Sequence, residues 1–243
     1  MTRAVHGREA SVPSATVRDM STARTTFQDG RALDGRPVER DAHELLGQVM
    51  GLVAVAVAVA ALGAYLGRDL SGATGLVLFI GAFACIFALN VAASRGRQQL
   101  AVVLLFGLGL LLGLATAPII ADYAAADASV VWQAAGATAA FIAAAGAYGY
   151  ATSRDLSSWA RTLFWALLGL ILFGLVGIFV AIPAGHVIYT VAGLGIFGAY
   201  TIFDFNRLRR ATPDSAVVIA ASIFLDVFNV FLLLLDVFGG SRD

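Results

Sequence analysis

The chain has 243 residues, of which 59% are hydrophobic and only 13% are charged, and its formal net charge is zero. A soluble domain carries about 25% charged residues, so this composition excludes an ordinary water-soluble protein and indicates that lipid is the solvent. The balanced charge gives no support to a nucleic-acid partner. A single cysteine, Cys85, excludes an internal disulfide and a metal site built from several cysteines of this chain.

The chain divides into a polar start and a long apolar remainder. Residues 1–44 contain no apolar run and are predicted to form a disordered polar cytoplasmic tail, whereas residues 45–240 are predicted to form the membrane domain. A helix that crosses about 30 Å of hydrocarbon needs roughly 20 apolar residues. Runs of that length, separated by short polar segments, occupy residues 45–66, 73–94, 100–121, 129–153 and 216–238.

Two further crossings are predicted between Arg161 and Asp204, where 42 residues contain no Asp, Glu, Lys or Arg. The break between them is placed at residues 182–185, because proline and glycine punctuate helices. The last run follows a proline turn in which Asp214 or Ser215 is expected to cap the helix. The sequence therefore predicts an all-α integral membrane protein with seven transmembrane helices.

The arginines near the membrane predict the orientation. Ten of them accompany the amino-terminal segment and the even-numbered loops, whereas Arg68 and Arg242 are the two on the other side of a seven-span arrangement. By the positive-inside rule, the amino terminus is cytoplasmic and the carboxyl terminus is outside. Since the alanine-, glycine- and arginine-rich composition is typical of a bacterial protein, the predicted location is the bacterial inner (plasma) membrane.

Several glycine patterns are interpreted as helix contacts. Residues 193–198 spell GxGxxG, but a dinucleotide site needs a strand before that motif, and here it lies inside an apolar run. Small residues at this spacing let membrane helices approach closely. The same interpretation is given to the pairs Gly47/Gly51, Gly109/Gly113 and Ala145/Gly149.

Polar residues on the outer side receive two interpretations. His186, near the outer end of the sixth helix, has no second histidine or carboxylate at ligand spacing and is interpreted as an interfacial residue rather than a metal ligand. Asp122 and Asp127 belong to an excess of acidic residues on this side. An acidic rim raises the local concentration of cations. The alternative, that arginine is simply kept out of external loops, stays open.

Two aspartates inside the predicted spans are the candidate functional residues. Asp204 lies about one turn inside the cytoplasmic end of the sixth helix, and Asp226 lies about eleven residues into the seventh. An aspartate near the bilayer centre costs at least a few kcal/mol, so such residues are functional candidates by default. The alternative for Asp204 is that it reaches the interface and pairs with Arg207, whereas Asp226 is too deep for its short side chain to reach water.

The two aspartates are expected to meet at a similar depth. The midpoint between them in the chain is residue 215, close to the turn of the predicted antiparallel hairpin. Asn229 lies one turn beyond Asp226 on the same helix face. Arg95, at the cytoplasmic end of the second helix, is expected at the same depth in the membrane as Asp204 and could be its counter-ion. The sequence leaves the choice of counter-ion open, because many other partners fit.

Three segments resemble the Bax inhibitor-1 family, also called the transmembrane Bax inhibitor motif family, in its bacterial branch. They are residues 150–159, 197–207 and 223–235, and the resemblance spans about residues 45 to 240. It implies a bundle in which six helices wrap around a central carboxyl-terminal helix. It also implies a pH-sensitive calcium leak gated by two hydrogen-bonded aspartates that match Asp204 and Asp226. Two positions depart from the family pattern, since Phe224 replaces the usual tyrosine and Asp236 replaces a basic or neutral polar residue.

The predicted function is therefore a passive, pH-sensitive cation leak, with calcium as the expected transported ion and no tightly bound cofactor. Two carboxylates in a low-dielectric bundle cannot both ionise cheaply, so they are expected to share one proton. With Asn229 they provide only part of the oxygen set that calcium prefers, which predicts a transient calcium site at Asp204 and Asp226.

The alternative is a non-transporting membrane regulator that binds a membrane protease or the stress and cell-death machinery. The expected partners are thus the lipid bilayer, calcium ions and a membrane-protein partner. An enzyme is not expected, because the sequence offers no nucleophile–base pair and no metal triad.

Overall fold

The computed structural model describes residues 36–70 and 72–240, and these residues form seven α-helices. All seven contain a stretch long and apolar enough to cross a membrane. The protein is thus a seven-span helical membrane protein, as predicted. In chain order the helices are α1 (Arg36–Leu66), α2 (Gly72–Ser94), α3 (Gln98–Ala126), α4 (Ala128–Ala151), α5 (Trp159–Phe179), α6 (Gly185–Leu208) and α7 (Ala216–Gly239).

The first helix begins earlier than the apolar pattern indicates. It starts at Arg36 with Pro37 in its first turn, where the missing N–H of proline costs no helical hydrogen bond. Its stretch suited to crossing a membrane begins at His43. A polar sequence can continue a helix beyond the lipid, so residues 36–44 are helical although they were assigned to the disordered tail. The rest of that prediction, for residues 1–35, lies outside the described residues.

The predicted break between the fifth and sixth helices is confirmed. Helix α5 ends at Phe179 and α6 begins at Gly185, and between them Ala184 adopts a left-handed backbone with φ of 57°. Ser215, one of the two N-cap residues that the sequence predicts, is the N-cap of α7, but its side chain makes no capping hydrogen bond. A short 3-10 helix over Pro213–Ser215 leads into α7 instead, and its tighter hydrogen bonds take the place of a side-chain acceptor.

The carboxyl-terminal helix α7 is the centre of the bundle. In its most apolar stretch 56% of the residues are buried, compared with 11% in α5. Helix α7 packs against α2, α3, α4 and α6, while α5 packs against α6. Its large side chains Phe224, Ile219 and Ile223 are fully buried. The central position expected for the last helix is therefore confirmed.

Glycines at two helix crossings let backbones touch. A Cβ at Gly109 of α3 would lie 2.7 Å from the carbonyl oxygen of Ala56 on α1, and one at Gly149 of α4 would lie 2.8 Å from Cα of Ile202 on α6. Real Cβ atoms do not approach backbone so closely. These contacts confirm the interpretation of the Gly109/Gly113 and Ala145/Gly149 pairs as helix contacts.

The two remaining small-residue patterns have opposite outcomes. The GxGxxG run lies in the middle of α6, where a Cβ at Gly193 would lie 2.8 Å from Leu233 and one at Gly198 would lie 2.9 Å from Phe141. The run therefore serves helix packing. The interpretation of Gly47 and Gly51 is wrong, since no described atom lies within 4 Å of a Cβ at either position.

Candidate functional site

Asp204 is buried where α6 faces α7. Only 1% of its surface is exposed, and the hydroxyl of Ser222 on α7 is within hydrogen-bonding reach of its carboxylate. One oxygen of this carboxylate, Oδ2, has no hydrogen-bond partner among the described residues. A buried acceptor without a partner costs about 1–3 kcal/mol, and more when it is charged. Oδ2 of Asp204 is thus an open acceptor for a proton, a water molecule or a cation.

Asp226 is buried to a similar extent on α7, with 4% of its surface exposed. The hydroxyl of Thr201, on α6, lies 3.5 Å from Asp226 Oδ2 but only 2.8 Å from the carbonyl oxygen of Phe197. A hydroxyl has one proton to donate, and the shorter contact is the better hydrogen bond. The hydrogen bonding of Asp226 is therefore weak for a buried carboxylate.

The structure places the two carboxyl groups near each other, but without the direct hydrogen bond that the family resemblance implies, since among the described residues Oδ2 of Asp204 has no partner and Oδ2 of Asp226 contacts Thr201. The two groups are near enough to act on each other electrostatically, and the side chain of Tyr200 lies near enough to interact with both. Each group comes from a different helix of the α6–α7 hairpin, as the symmetric placement about residue 215 predicts. Two ionised carboxylates at such a place repel strongly, because little water is present to screen them.

The three residues expected to support the aspartate pair either bond within their own helix or are exposed at the surface. Asn229 donates from Nδ2 to the carbonyl oxygen of Leu225 in its own helix, at 2.7 Å. Arg207 is exposed one turn after Asp204, and its positive charge acts on that carboxylate. Arg95 is also exposed. Within the described residues, the ion pairs do not include one between Arg95 and Asp204.

The two acidic residues of the predicted rim lie around the turn between α3 and α4. Asp122 is exposed near the end of α3. Asp127 is the N-cap of α4, where its side chain accepts a 2.8 Å hydrogen bond from the N–H of Ser129. Hydrogen bonds from the side chain and the N–H of Ser129 hold the pKa of Asp127 below its usual value. Asp127 is therefore charged at neutral pH and also has a structural role.

A buried amide that the sequence did not single out ties α6 to the loop between α4 and α5. Asn206, 2% exposed, donates from Nδ2 to the carbonyl oxygens of Gly149, Thr152 and Arg154 at 3.0 to 3.3 Å. Its Oδ1 accepts from the N–H of Leu156 at 3.4 Å. The sequence could have pointed to Asn206 only through its position, two residues after the candidate Asp204.

The same loop is held by an ion pair at the surface. Arg210 lies 2.6 Å from Asp155, and it also donates to the carbonyl oxygen of Arg154. Asp155 accepts in addition from the N–H of Ser157 at 2.9 Å. Hydrogen bonds from Ser157 and Arg210 hold the pKa of Asp155 below its usual value. The end of the α6–α7 hairpin that holds Asp204 is therefore anchored to the α4–α5 loop.

A second polar cluster lies at the opposite end of the bundle. Asp236 of α7 pairs with His186 of α6, and it accepts hydrogen bonds from Tyr123 of α3 at 3.2 Å and from Thr190 of α6 at 3.3 Å. His186 was interpreted as an interfacial residue without a nearby carboxylate. The helices bring to it a carboxylate that is 50 residues away in the chain, which local spacing does not reveal.

An apolar cavity of about 870 Å³ lies between α1, α3, α4 and α7. It extends to Phe224 and Phe228, which flank Asp226 in α7. Its lining includes Arg68 but no acidic side chain from the described residues. The cavity offers few oxygen ligands to a cation. The aspartate pair is therefore a better candidate for a cation site than this cavity.

A family model described as inhibitor of apoptosis-promoting Bax1 matches residues 42–243. The match covers all seven transmembrane helices. The chain belongs to the Bax inhibitor-1 family. The resemblance seen in the three sequence segments is thereby confirmed.

Curated relatives agree with the Bax inhibitor-1 assignment. The inner membrane protein YbhL of Escherichia coli is 32% identical over 184 residues, which cover 70% of this chain and 77% of that protein. The Golgi anti-apoptotic protein of vaccinia virus is 33% identical over 162 residues, or 66% of each chain. An uncharacterised protein of Helicobacter pylori is 29% identical over 168 residues, covering 69% of this chain and 72% of the relative.

The three segments that carry the Bax inhibitor-1 resemblance meet in the fold. The segment over residues 150–159 is bound by Asn206 and Arg210 at the end of α6. The other two segments carry Asp204 and Asp226, which lie near each other on α6 and α7. The three segments are therefore linked through α6, which carries Asp204 and whose end is bound to the α4–α5 loop by Asn206.

Proposed function

We propose that this protein is a passive, pH-sensitive calcium leak of the bacterial inner membrane, gated by Asp204 and Asp226. The observation that carries the proposal is the burial of both carboxyl groups, 1% and 4% exposed, inside a membrane-spanning bundle. An acidic residue in this setting is costly and marks ion or proton pathways. The unpartnered Oδ2 of Asp204 leaves the pair open to a proton or a cation.

Protons and cations would compete for this pair. When the two carboxyl groups share a proton, one negative charge remains and the helices α6 and α7 stay close. When the proton leaves, two negative charges repel each other, and either the helices separate or a cation enters. Calcium suits the site because it prefers oxygen ligands. Two carboxylates and nearby hydroxyl groups fall short of its usual six to eight ligands, so the ion passes rather than stays.

The location and orientation belong to the same proposal. The Escherichia coli relative is named an inner membrane protein, which supports the plasma membrane of a bacterium for this chain. The excess of arginine at the amino-terminal side supports a cytoplasmic amino terminus and an external carboxyl terminus. In this orientation Asp204 lies nearer the cytoplasm and Asp236 nearer the outside.

Calcium flux into liposomes that contain the purified protein tests the proposal. We expect flux above that of protein-free liposomes, and a change in its rate between pH 6 and pH 8. The Asp214→Asn variant is a matched control, because it removes an exposed carboxylate from the loop before α7. It should keep the wild-type pH profile. Absence of calcium flux at every pH in this range would overturn the leak.

A non-transporting membrane regulator is the second candidate. It is favoured by the description of the family model and by the name of the vaccinia relative, a Golgi anti-apoptotic protein. The surface of α5, where Phe164, Trp165 and Phe179 are exposed, offers an apolar face to a membrane partner such as a protease. Unaltered folding together with absent flux in the liposome experiment would favour this candidate.

A further inference from the structure

The cluster at the outer end of the bundle joins three helices through one carboxylate. Oδ1 of Asp236 accepts from the hydroxyl of Tyr123 at 3.2 Å, while Oδ2 accepts from the hydroxyl of Thr190 at 3.3 Å and contacts Nε2 of His186. Asp236 belongs to α7, Tyr123 to α3, and the other two residues to α6. The carboxylate is thus a cross-link between helices rather than a solvated surface charge.

Within the part of the chain that the structure describes, the titratable groups in contact with this carboxylate are Tyr123 of α3 and His186 of α6. On the neighbouring elements, Asp122 precedes Tyr123 in the chain, and Asp127, whose carboxylate is engaged by Ser129, begins α4. The turn between α5 and α6 contains no ionisable residue. Among the described residues in contact with Asp236, His186 is the one able to become a cation.

We propose that His186 and Asp236 form a proton-operated latch that holds the outer ends of α6 and α7 together, next to α3. The proposal rests on the proposed leak, for which the latch is a second control at the outer mouth. The side chains of His186 and Asp236 are 44% and 31% exposed, so protons from the external solution reach them. The aspartate pair deep in the bundle is not exposed in this way.

Protonation of the histidine strengthens the latch. Above the range where histidine titrates, a neutral imidazole and a carboxylate share one ordinary hydrogen bond. Uptake of a proton from the external solution makes the imidazole an imidazolium, and the contact becomes a charge-assisted ion pair. The outer ends of the helices are then held more tightly, so external acidification between pH 8 and pH 5.5 closes the outer mouth.

Helix α7 connects the latch to the aspartate pair. Asp226 and Asp236 are ten residues apart in the same helix, a rise of about 15 Å. Val230 and Leu235, between them, are almost fully buried. A helix packed in this way moves as a rigid element, so a change at the outer end of α7 alters the contact between α6 and α7 at Asp226.

The latch can be tested without measuring flux, through the separation of spin labels across the outer half of the bundle. Cysteines replace the exposed residues Ile119 of α3 and Val191 of α6 in a Cys85→Ser background, and distances are recorded by pulsed electron paramagnetic resonance in liposomes from pH 8 to pH 5.5. We expect the ratio of short to long separations to rise about twofold to fivefold on acidification, the range that a partly exposed ion pair supplies.

Two variants and two controls assign the effect. His186→Gln and Asp236→Asn remove one charge each, and either should abolish the pH-dependent change in separation. Tyr123→Phe removes a hydrogen bond but not the titrating pair, so the mean separation can change while the pH response remains. Asp226→Asn should retain the response, because it acts on the inner pair. Two variants on opposite sides of the contact keep the test usable if one of them does not fold.

The outcomes separate the latch from the leak. A pH response that persists in His186→Gln and Asp236→Asn, or a wild-type protein without any response, overturns the latch. A liposome preparation with the spin-label response but no calcium flux overturns the leak and leaves the titrating contact in place. Flux with a pH profile that is unchanged in His186→Gln overturns the role of the latch in the leak.

Discussion

Asp204 and Asp226 lie on adjacent helices of the hairpin, and each carboxyl group has an oxygen without a strong hydrogen bond to the described part of the protein. Oδ2 of Asp226 lies 3.5 Å from the hydroxyl of Thr201, whereas Oδ2 of Asp204 has no hydrogen-bond partner among the described residues. Both side chains are almost fully buried. Oδ2 of Asp204 is thus a buried oxygen of the pair that the described part of the chain leaves without a hydrogen bond.

Replacement of either aspartate by asparagine should flatten the pH dependence of calcium flux between pH 6 and pH 8. A shared proton requires both carboxyl groups, so a single carboxylate beside an amide no longer experiences the like charge that couples the pair. Asp204→Asn and Asp226→Asn are nearly isosteric, and thermal unfolding in detergent checks that both variants fold. Two folded variants with the wild-type pH profile would show that the pair is not the sensor.

Removal of the two rim charges should lower calcium influx at low ionic strength. Asp122→Asn combined with Asp127→Asn removes negative charge near the proposed outer mouth. Asparagine is also a good N-cap, so the hydrogen bond from Ser129 to residue 127 can persist. The difference from the wild type should shrink near 0.15 M salt, where the Debye length is about 8 Å. Equal flux at every salt concentration would leave the acidic rim without a role in cation supply.

The ion pair between Asp155 and Arg210 should stabilise the protein in a pH-dependent way. Because the folded state lowers the pKa of Asp155, its contribution is present above the unfolded value of about 3.9 and is lost as the pH falls through the lower folded value. Asp155→Asn should therefore reduce thermal stability at pH 7, with a difference that disappears in strong acid.

A suitable control for this variant is Asp69→Asn at the other end of the bundle. The carboxylate of Asp69 lies 3.6 Å from Arg68 and is 91% exposed, so a smaller effect is expected from its loss. A pH-independent difference between the wild type and Asp155→Asn would contradict the role assigned to the Asp155 charge.

Alanine at Gly149 should separate α4 from α6 and destabilise the bundle. The added Cβ would lie 2.8 Å from Cα of Ile202, and overpacking of this kind costs about 1–3 kcal/mol. Gly136 of the same helix is the matched control, since nothing lies within 4 Å of its Cβ position. Gly136→Ala should be neutral or stabilising by up to about 1 kcal/mol. Unfolding in a detergent titration measures both, and equal stabilities would exclude a tight contact at Gly149.

Cysteine labelling should distinguish the two sides of the membrane. Cys85 is buried and its thiol donates to the carbonyl oxygen of Leu104, so Cys85→Ser keeps a donor and provides a silent background. A cysteine at exposed Ala125 should react with an impermeant maleimide added to intact cells, while one at exposed Ser157 should not. Labelling of Ser157→Cys in sealed cells would show that the proposed orientation is wrong.

Local sequence was sufficient to determine the seven spans and to single out the two aspartates. A segment in lipid must satisfy its backbone hydrogen bonds internally, so about 20 apolar residues dictate a helix wherever they occur. The cost of placing a carboxyl group in that segment is equally local, which is why Asp204 and Asp226 were identified without knowledge of their neighbours. The break before Gly185 followed from proline and glycine in the same way.

Tertiary structure alone decided which polar groups meet. Asn206 reaches backbone groups that are 50 to 57 residues away in the chain, and His186 meets Asp236 across the same kind of distance. Gly149 touches a neighbouring backbone, whereas Gly47 faces open space. A membrane helix is apolar on all sides, so its sequence period does not reveal which face turns inward. The rotation of each helix is set by packing against its neighbours, and those rotations bring the polar groups together.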